Sequence, residues 1–201
     1  MINLDENFFD KAIDSIKKDS LGTTAKKLVK DGPNIVINLI PESFLSNISY
    51  KNYELIHKND LRPICQFNKS IKQSNNIISF GVPNYGGKHG CCTELTKKGV
   101  IEAADTSILK NNMISFHSFQ KKLVISLKEY LKILLNDLNV KIPIFFSLTI
   151  NNIKGCEIAN SSPKKIQDSE LEYYCLIESL DEIDGLIKKL FEQIINDSYG
   201  F

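Results

Sequence analysis

The residues best equipped for chemistry lie in one short stretch. His89 precedes Cys91 and Cys92. A thiolate beside an imidazole is an activated nucleophile, and the ammonium of Lys88 would lower a thiol pKa further. In a strand, however, Cys91 and Cys92 point to opposite faces, so only one of them shares a side with His89. Zinc sites are commonly built on spaced pairs such as Cys-x-x-Cys or His-x-x-x-His, which this stretch lacks, so neither a metal nor another cofactor is expected. Buried cysteine usually behaves as a small hydrophobe. Packing is therefore the preferred reading of the thiols, with His89, Cys91 and Cys92 as the catalytic candidates if the chain is an enzyme.

The bend before them, Gly81-Val82-Pro83-Asn84-Tyr85-Gly86-Gly87-Lys88-His89, brushes against a phosphate-binding loop. That motif requires Gly-Lys followed by Ser or Thr, and then a helix whose free N–H groups and dipole hold the anion. Here an extra Gly87 intervenes, His89 stands where the hydroxyl belongs, and a hairpin pattern follows. The bend reads as a connection between strands, with Tyr85, Gly86, Gly87 and Lys88 as ligand-binding candidates. Glu102 and Asp105 are three apart on a predicted strand and face opposite sides, which argues against joint acid–base work. His57 and His117 stand apart in the sequence, without acidic neighbours at useful spacing.

These residues must be positioned by a limited set of elements. Residues 5–18 place Phe8, Phe9, Ala12, Ile13 and Ile16 on one helical face, with Asn3 and Glu6 as a capping pair. Asp31-Gly32-Pro33 marks a turn, and residues 34–40 form a near-continuous apolar strand halted by Pro41. Residues 42–75 read mostly as loop. Residues 77–82 form a strand, and residues 91–104 a hairpin closed at Lys97-Lys98-Gly99, where Gly99 supplies a positive φ. The clearest helix spans 116–138, with Phe116, Phe119, Leu123, Leu127, Tyr130, Leu131, Leu134 and Leu138 at three- and four-residue steps. Strands are predicted at 144–150 and 171–178, an extended piece at 153–158 and a loop at 160–170. A last helix follows, capped by Ser179 with Glu182. This order predicts an α+β fold: an antiparallel or mixed sheet with the long helix and a C-terminal helix packed on it. The expected organisation is one domain over 1–201, with an N-terminal helix in 1–20 and the sheet and helices in 32–201.

Composition sets outer bounds. The chain has 201 residues, 42% hydrophobic and 24% charged. At this size about 70% of the unfolded chain's surface can be buried, so no disulfide or metal is needed to hold the core. The net charge of +1 lacks the basic excess of a dedicated DNA-binding domain. Arg62 is the only arginine, although arginine is the side chain that forks onto guanine edges and phosphates. The odd number of cysteines, five, suggests no disulfide framework. The amino terminus lacks the basic and apolar regions of a signal peptide. The longest apolar stretch, 142–150, is half of a membrane span. A reducing cytoplasm is the expected compartment, and no membrane the expected partner.

Several blocks together carry a family resemblance: residues 32–41 (Gly-Pro-Asn-Ile-Val-Ile-Asn-Leu-Ile-Pro), residues 93–105 around the hairpin turn, the long helix, Ile142-Pro143-Ile144-Phe145-Phe146-Ser147-Leu148 with Ile153-Lys154-Gly155, and Cys175-Leu176-Ile177-Glu178. From about residue 30 onward, the chain resembles the carboxy-terminal region of bacterial Schlafen/AlbA-type DNA-binding proteins. Their "gp-lvlhliP" strand and "lfr-G-iiEa" hairpin precede a similar helix and strand pair. Two departures matter. The amino-terminal AlbA-like domain does not fit in the residues before Gly32, and the familiar histidine before Leu-Ile-Pro is Asn38. The resemblance implies a companion domain, sensory or oligomerising, and assigns no site residue.

Three expectations follow. The leading one is a non-enzymatic interaction or ligand-sensing domain, working with a protein partner or as a homo-oligomer beside a DNA-binding or defence-type system. The second is a small Cys/His-dependent enzyme using residues 84–92. The third is nucleic-acid binding through Lys121, Lys122, Lys128 and Lys132, without an identified motif.

Overall fold

Asn34–Pro41 is apolar at odd and even positions alike, and a strand of that kind must be covered on both faces. The structure supplies both covers. The computed structural model describes residues 6–29, 31–46, 48–56, 61–64, 69–73, 76–81, 89–107, 109–110, 113–158 and 165–199. In chain order these hold helix α1 (Glu6–Lys17), a one-turn helix α2 (Ala25–Leu28) and strand β1 (Asn34–Pro41). Two 3-10 turns follow at Glu42–Ser46 and Lys51–Leu55, then β2 (Lys69–Gln73), β3 (Asn76–Phe80), β4 (Cys91–Thr96) and β5 (Ile101–Asp105). The two-residue strands β6 (Leu109–Lys110) and β7 (Met113–Ile114) lead into α3 (Phe116–Lys132), which ends in a π turn at Ile133–Asp137. The chain continues with β8 (Ile144–Asn151), β9 (Glu157–Ile158), β10 (Glu170–Ile177) and α4 (Ile183–Tyr199).

Seven strands form one sheet in the order β10-β8-β1-β5-β4-β3-β2, and every pair is antiparallel. The expected α+β fold is thus observed, with the sheet antiparallel throughout. One face carries Ile35, Ile37 and Leu39 of β1 together with Phe146, Leu148 and Ile150 of β8, packed under α3 and α4. All eight residues of the predicted stripe on the long helix, Phe116 to Leu138, are buried. Phe191 of α4 locks the two helices through edge contacts with Phe116 at 5.7 Å between ring centroids. Such aromatic pairs add stabilisation beyond area burial.

The opposite face is covered by the start of the chain. Phe8 and Ala12 of α1 pack with Ile40, Val100 and Phe145, and Phe9 meets Phe145 edge-on at 5.0 Å. Ala25 and Val29, at α2, pack with Val36, Ile78, Phe80, Cys92 and Ala104. Two separate apolar clusters therefore share this face, and a polar strip lies between them.

Several expectations shift in detail. No element stands out in the sequence between Gly22 and Asp31, yet α2 forms there, because its single apolar ridge is buried against β4 and β5. Strand β2 lies within the stretch read mostly as loop. Ser179 does not cap α4; its hydroxyl accepts from the backbone N–H of Asp181 at 3.2 Å, in the turn before the helix begins at Ile183. Cys91 is disulfide-bonded, contrary to a chain of reduced thiols, while Cys92, Cys156 and Cys175 are free. Among the described residues no helix is long and apolar enough to cross a membrane.

Candidate functional site

Register places one polar residue per strand in a row across the centre of the α1/α2 face. Asn38 of β1 is opposite Ser147 of β8 on one side and Glu102 of β5 on the other, and Glu102 is opposite Glu94 of β4. Asn38, Glu94, Glu102 and Ser147 are all buried. Buried carboxylates need hydrogen-bond donors to offset desolvation, and the turn that starts α2 provides them. The Thr24 backbone N–H donates to Glu94 Oε2 at 2.5 Å and the Thr24 hydroxyl to the same atom at 3.1 Å. The Lys26 backbone N–H donates to Glu102 Oε1 at 3.0 Å. Thr23 adds a side-chain hydrogen bond to Glu102, and Asn76 Nδ2 donates to Glu94 Oε1. These are orphan N–H groups of a helix start, so the two glutamates fasten α2 to the sheet. Burial pushes the Glu102 carboxyl above the usual carboxylate range, against the opposing pull of the Lys26 N–H.

Next to this latch lies a cavity of about 190 Å³. Its floor is the sheet patch of Val36, Asn38, Glu102, Thr149 and Asn151, its outer wall is Glu170 and Glu172 of β10, and its roof is the end of α1 with Asp19, Leu21 and Lys26. Lys26 is committed to Asp19 at 2.9 Å, and Lys27 meets the same carboxylate at 2.6 Å. These two ammonium groups hold the Asp19 carboxyl below its ordinary range. Asn38 is 2% exposed. Its Nδ2 donates to Ser147 Oγ at 3.1 Å, whereas its Oδ1 has no hydrogen-bond partner among the described residues. A buried amide oxygen left unpaired costs about 1–3 kcal/mol, so a donor entering the cavity would recover a penalty the free protein carries.

The candidates read from the sequence fall elsewhere or apart. His89 is at the edge of this face: its ring stacks on Phe80 at 4.2 Å, Nδ1 meets Gly81 O at 3.3 Å, and its backbone bridges to Val29. Cys92 lies opposite Phe80 on the same face, buried, with its thiol pushed up by desolvation first and by the charges of Glu94 and Glu102 second. Cys91 lies opposite Asp105 in the β4–β5 register and, as half of a disulfide, has no thiolate to offer. Tyr85, Gly86, Gly87 and Lys88, and His57, lie outside the described residues. Glu102 and Asp105 do face opposite sides, as their spacing predicts; Asp105 Oδ1 accepts from the Ser107 N–H at 2.5 Å, Oδ2 is unpartnered among the described residues, and burial raises its carboxyl. Among the described residues no group of three His, Cys, Asp or Glu is arranged to hold a metal. Of the lysines proposed for nucleic acid, Lys128 is paired with Asp184 of α4.

Glu94 and Thr149 were not singled out in the sequence, and Asn38 stood out only as a departure from the family resemblance. Two signals pointed to them: Asn38 interrupts an otherwise apolar strand, and a hairpin closed at residues 97–99 sets 94 opposite 102. No protein-family model, curated protein or solved structure matches this chain.

Proposed function

We propose that the chain is a non-enzymatic ligand-sensing domain that reports a small molecule bound between the sheet and the α1–α2 segment. The observation that carries this reading is the unpartnered Oδ1 of buried Asn38 on the floor of a cavity. The roof of that cavity is fastened to the sheet by apolar packing on either side and, between, by Glu94 and Glu102. Occupancy that engages Lys26 or Glu102 therefore acts on the same contacts that hold α2 down, which couples binding to the outer surface of the molecule. The family resemblance extends the proposal: the reporting surface addresses a second copy or a protein partner in a DNA-binding or defence-type system. Catalysis has weaker support, because the Cys92 thiol is pushed up by burial and Cys91 is oxidised.

Thermal unfolding of the full chain against a panel of polar molecules of the cavity's volume tests the proposal. A ligand present at 100 times its Kd stabilises by about 2.7 kcal/mol. The expected result is at least one compound that raises Tm in the wild type and not in Asn38→Leu. A panel that moves neither protein, together with a strict monomer that captures no partner, overturns the reading.

A further inference from the structure

The ligand-sensing reading leaves the chemical class of the ligand open, and the cavity narrows it. We infer that the cavity over Asn38 takes a small organic cation: a primary ammonium on a short alkyl stem. This inference rests on that reading.

The buried polar atom of the lining that is left without a partner is an acceptor. Asn38 Nδ2 gives one of its two N–H bonds to Ser147, and Oδ1 is the atom with no partner among the described residues, so a guest that satisfies it must donate. Glu170 and Glu172 of β10 stand in register with Asn151 and Thr149 and bring two carboxylates to the wall; one Glu172 oxygen takes the Tyr174 hydroxyl at 2.6 Å. The positive charge nearby is largely spent, since Lys26 and Lys27 share Asp19, which leaves Lys17 on the exposed rim. An anion would meet two carboxylates and an amide oxygen, whereas an ammonium matches all three with charge-assisted bonds. Ile16, Leu21 and Val36 line the remainder, and these apolar surfaces suit methylene groups. A dry cavity of about 150 Å³ holds benzene, so the 190 Å³ available here has room for roughly six to eight heavy atoms.

Calorimetric titration of the full chain with 1,4-diaminobutane, 1,4-butanediol and butanoate separates the classes. The diamine is expected to bind at least about tenfold more tightly than the diol, with butanoate weakest. Glu172→Gln, on an exposed position of β10 that leaves the core intact, is expected to weaken the diamine about tenfold, and Asn38→Leu to abolish saturable binding while circular dichroism shows a folded chain. Equal or tighter binding of the diol or butanoate, removed by Asn38→Leu, overturns the cationic class while the ligand-sensing reading stands. Diamine binding unaffected by both substitutions also overturns the inference, because it places the amine elsewhere. Absence of binding by all three probes overturns the cationic class, while the ligand-sensing reading falls only if the wider thermal-unfolding panel fails as well.

Discussion

Glu94 and Glu102 face each other across β4 and β5, both fully shielded from solvent, and each accepts a backbone N–H from the turn that opens α2. Two like charges opposite each other would repel; here the helix start intervenes with its unpaired donors, and the pair becomes the attachment point of a surface segment.

A pH signature follows from Glu102. Its carboxyl is raised by desolvation, so the folded state binds its proton more readily than the unfolded chain does. Stability from this group is full at low pH and is lost as pH rises through the folded pKa. Urea unfolding at about pH 5 and about pH 8 should show a steeper loss for the wild type than for Glu102→Gln. Asp105, raised in the same direction, stays in both proteins. Glu102→Leu, which strands the Lys26 N–H, should cost about 1–3 kcal/mol at either pH. Identical slopes in wild type and Glu102→Gln would remove Glu102 as a buried titrating group.

The hairpin turn makes a steric prediction. Gly99 has φ +77°, and an added Cβ would come within 2.9 Å of Tyr50 Cε2. Tyr50 is itself held, by a backbone bond to Lys97 O at 2.9 Å and through its hydroxyl to Ser43. Gly99→Ala should therefore cost at least about 1–2 kcal/mol from the left-handed backbone alone, measured by chemical denaturation. A neutral effect would mean that the turn relaxes.

The long helix can be tested by two neighbours. Leu127 is fully buried on the inner side of α3, whereas Ile125 is 47% exposed on its outer side. Leu127→Ala should cost about 2–5 kcal/mol and Ile125→Ala no more than about 0.5 kcal/mol. Comparable costs would mean that the packed face has been misassigned.

Thiol chemistry discriminates sensing from catalysis. Burial raises Cys92, and pushes Cys175 up to about 12, so native protein at neutral pH should label slowly with iodoacetamide at both. Fast labelling of Cys92 would restore the Cys/His enzyme. The state of Cys91 in protein alkylated inside cells bears on the compartment: disulfides are rare in a reducing cytosol, so recovery of reduced Cys91 supports a cytoplasmic address and recovery of the oxidised form contradicts it.

The fold was largely legible because its core elements are strongly periodic. The α3 stripe and the near-continuous apolar run of β1 name their buried faces by spacing alone. The site was not, because it is assembled across strands far apart in sequence. Thr24 reaches Glu94 seventy positions on, and the cavity joins the end of α1 to β10. The strand periodicity in the hairpin separated Glu102 from Asp105 correctly, yet the partner that matters, Glu94, emerges only from the register. The α2 helix was invisible for a related reason: one turn has too little sequence to show a period, and tertiary contact with two carboxylates holds it in place.

The most direct test of the account watches the Asn38 side-chain amide. In a nitrogen-15-labelled full chain titrated with 1,4-diaminobutane, the Asn38 Nδ2 resonances and the backbone amides of Thr24 and Lys26 should shift together and saturate with a single Kd. Saturable shifts elsewhere with Asn38 unmoved, or no saturable shift at all, would contradict the claim that this cavity is where the protein meets its ligand.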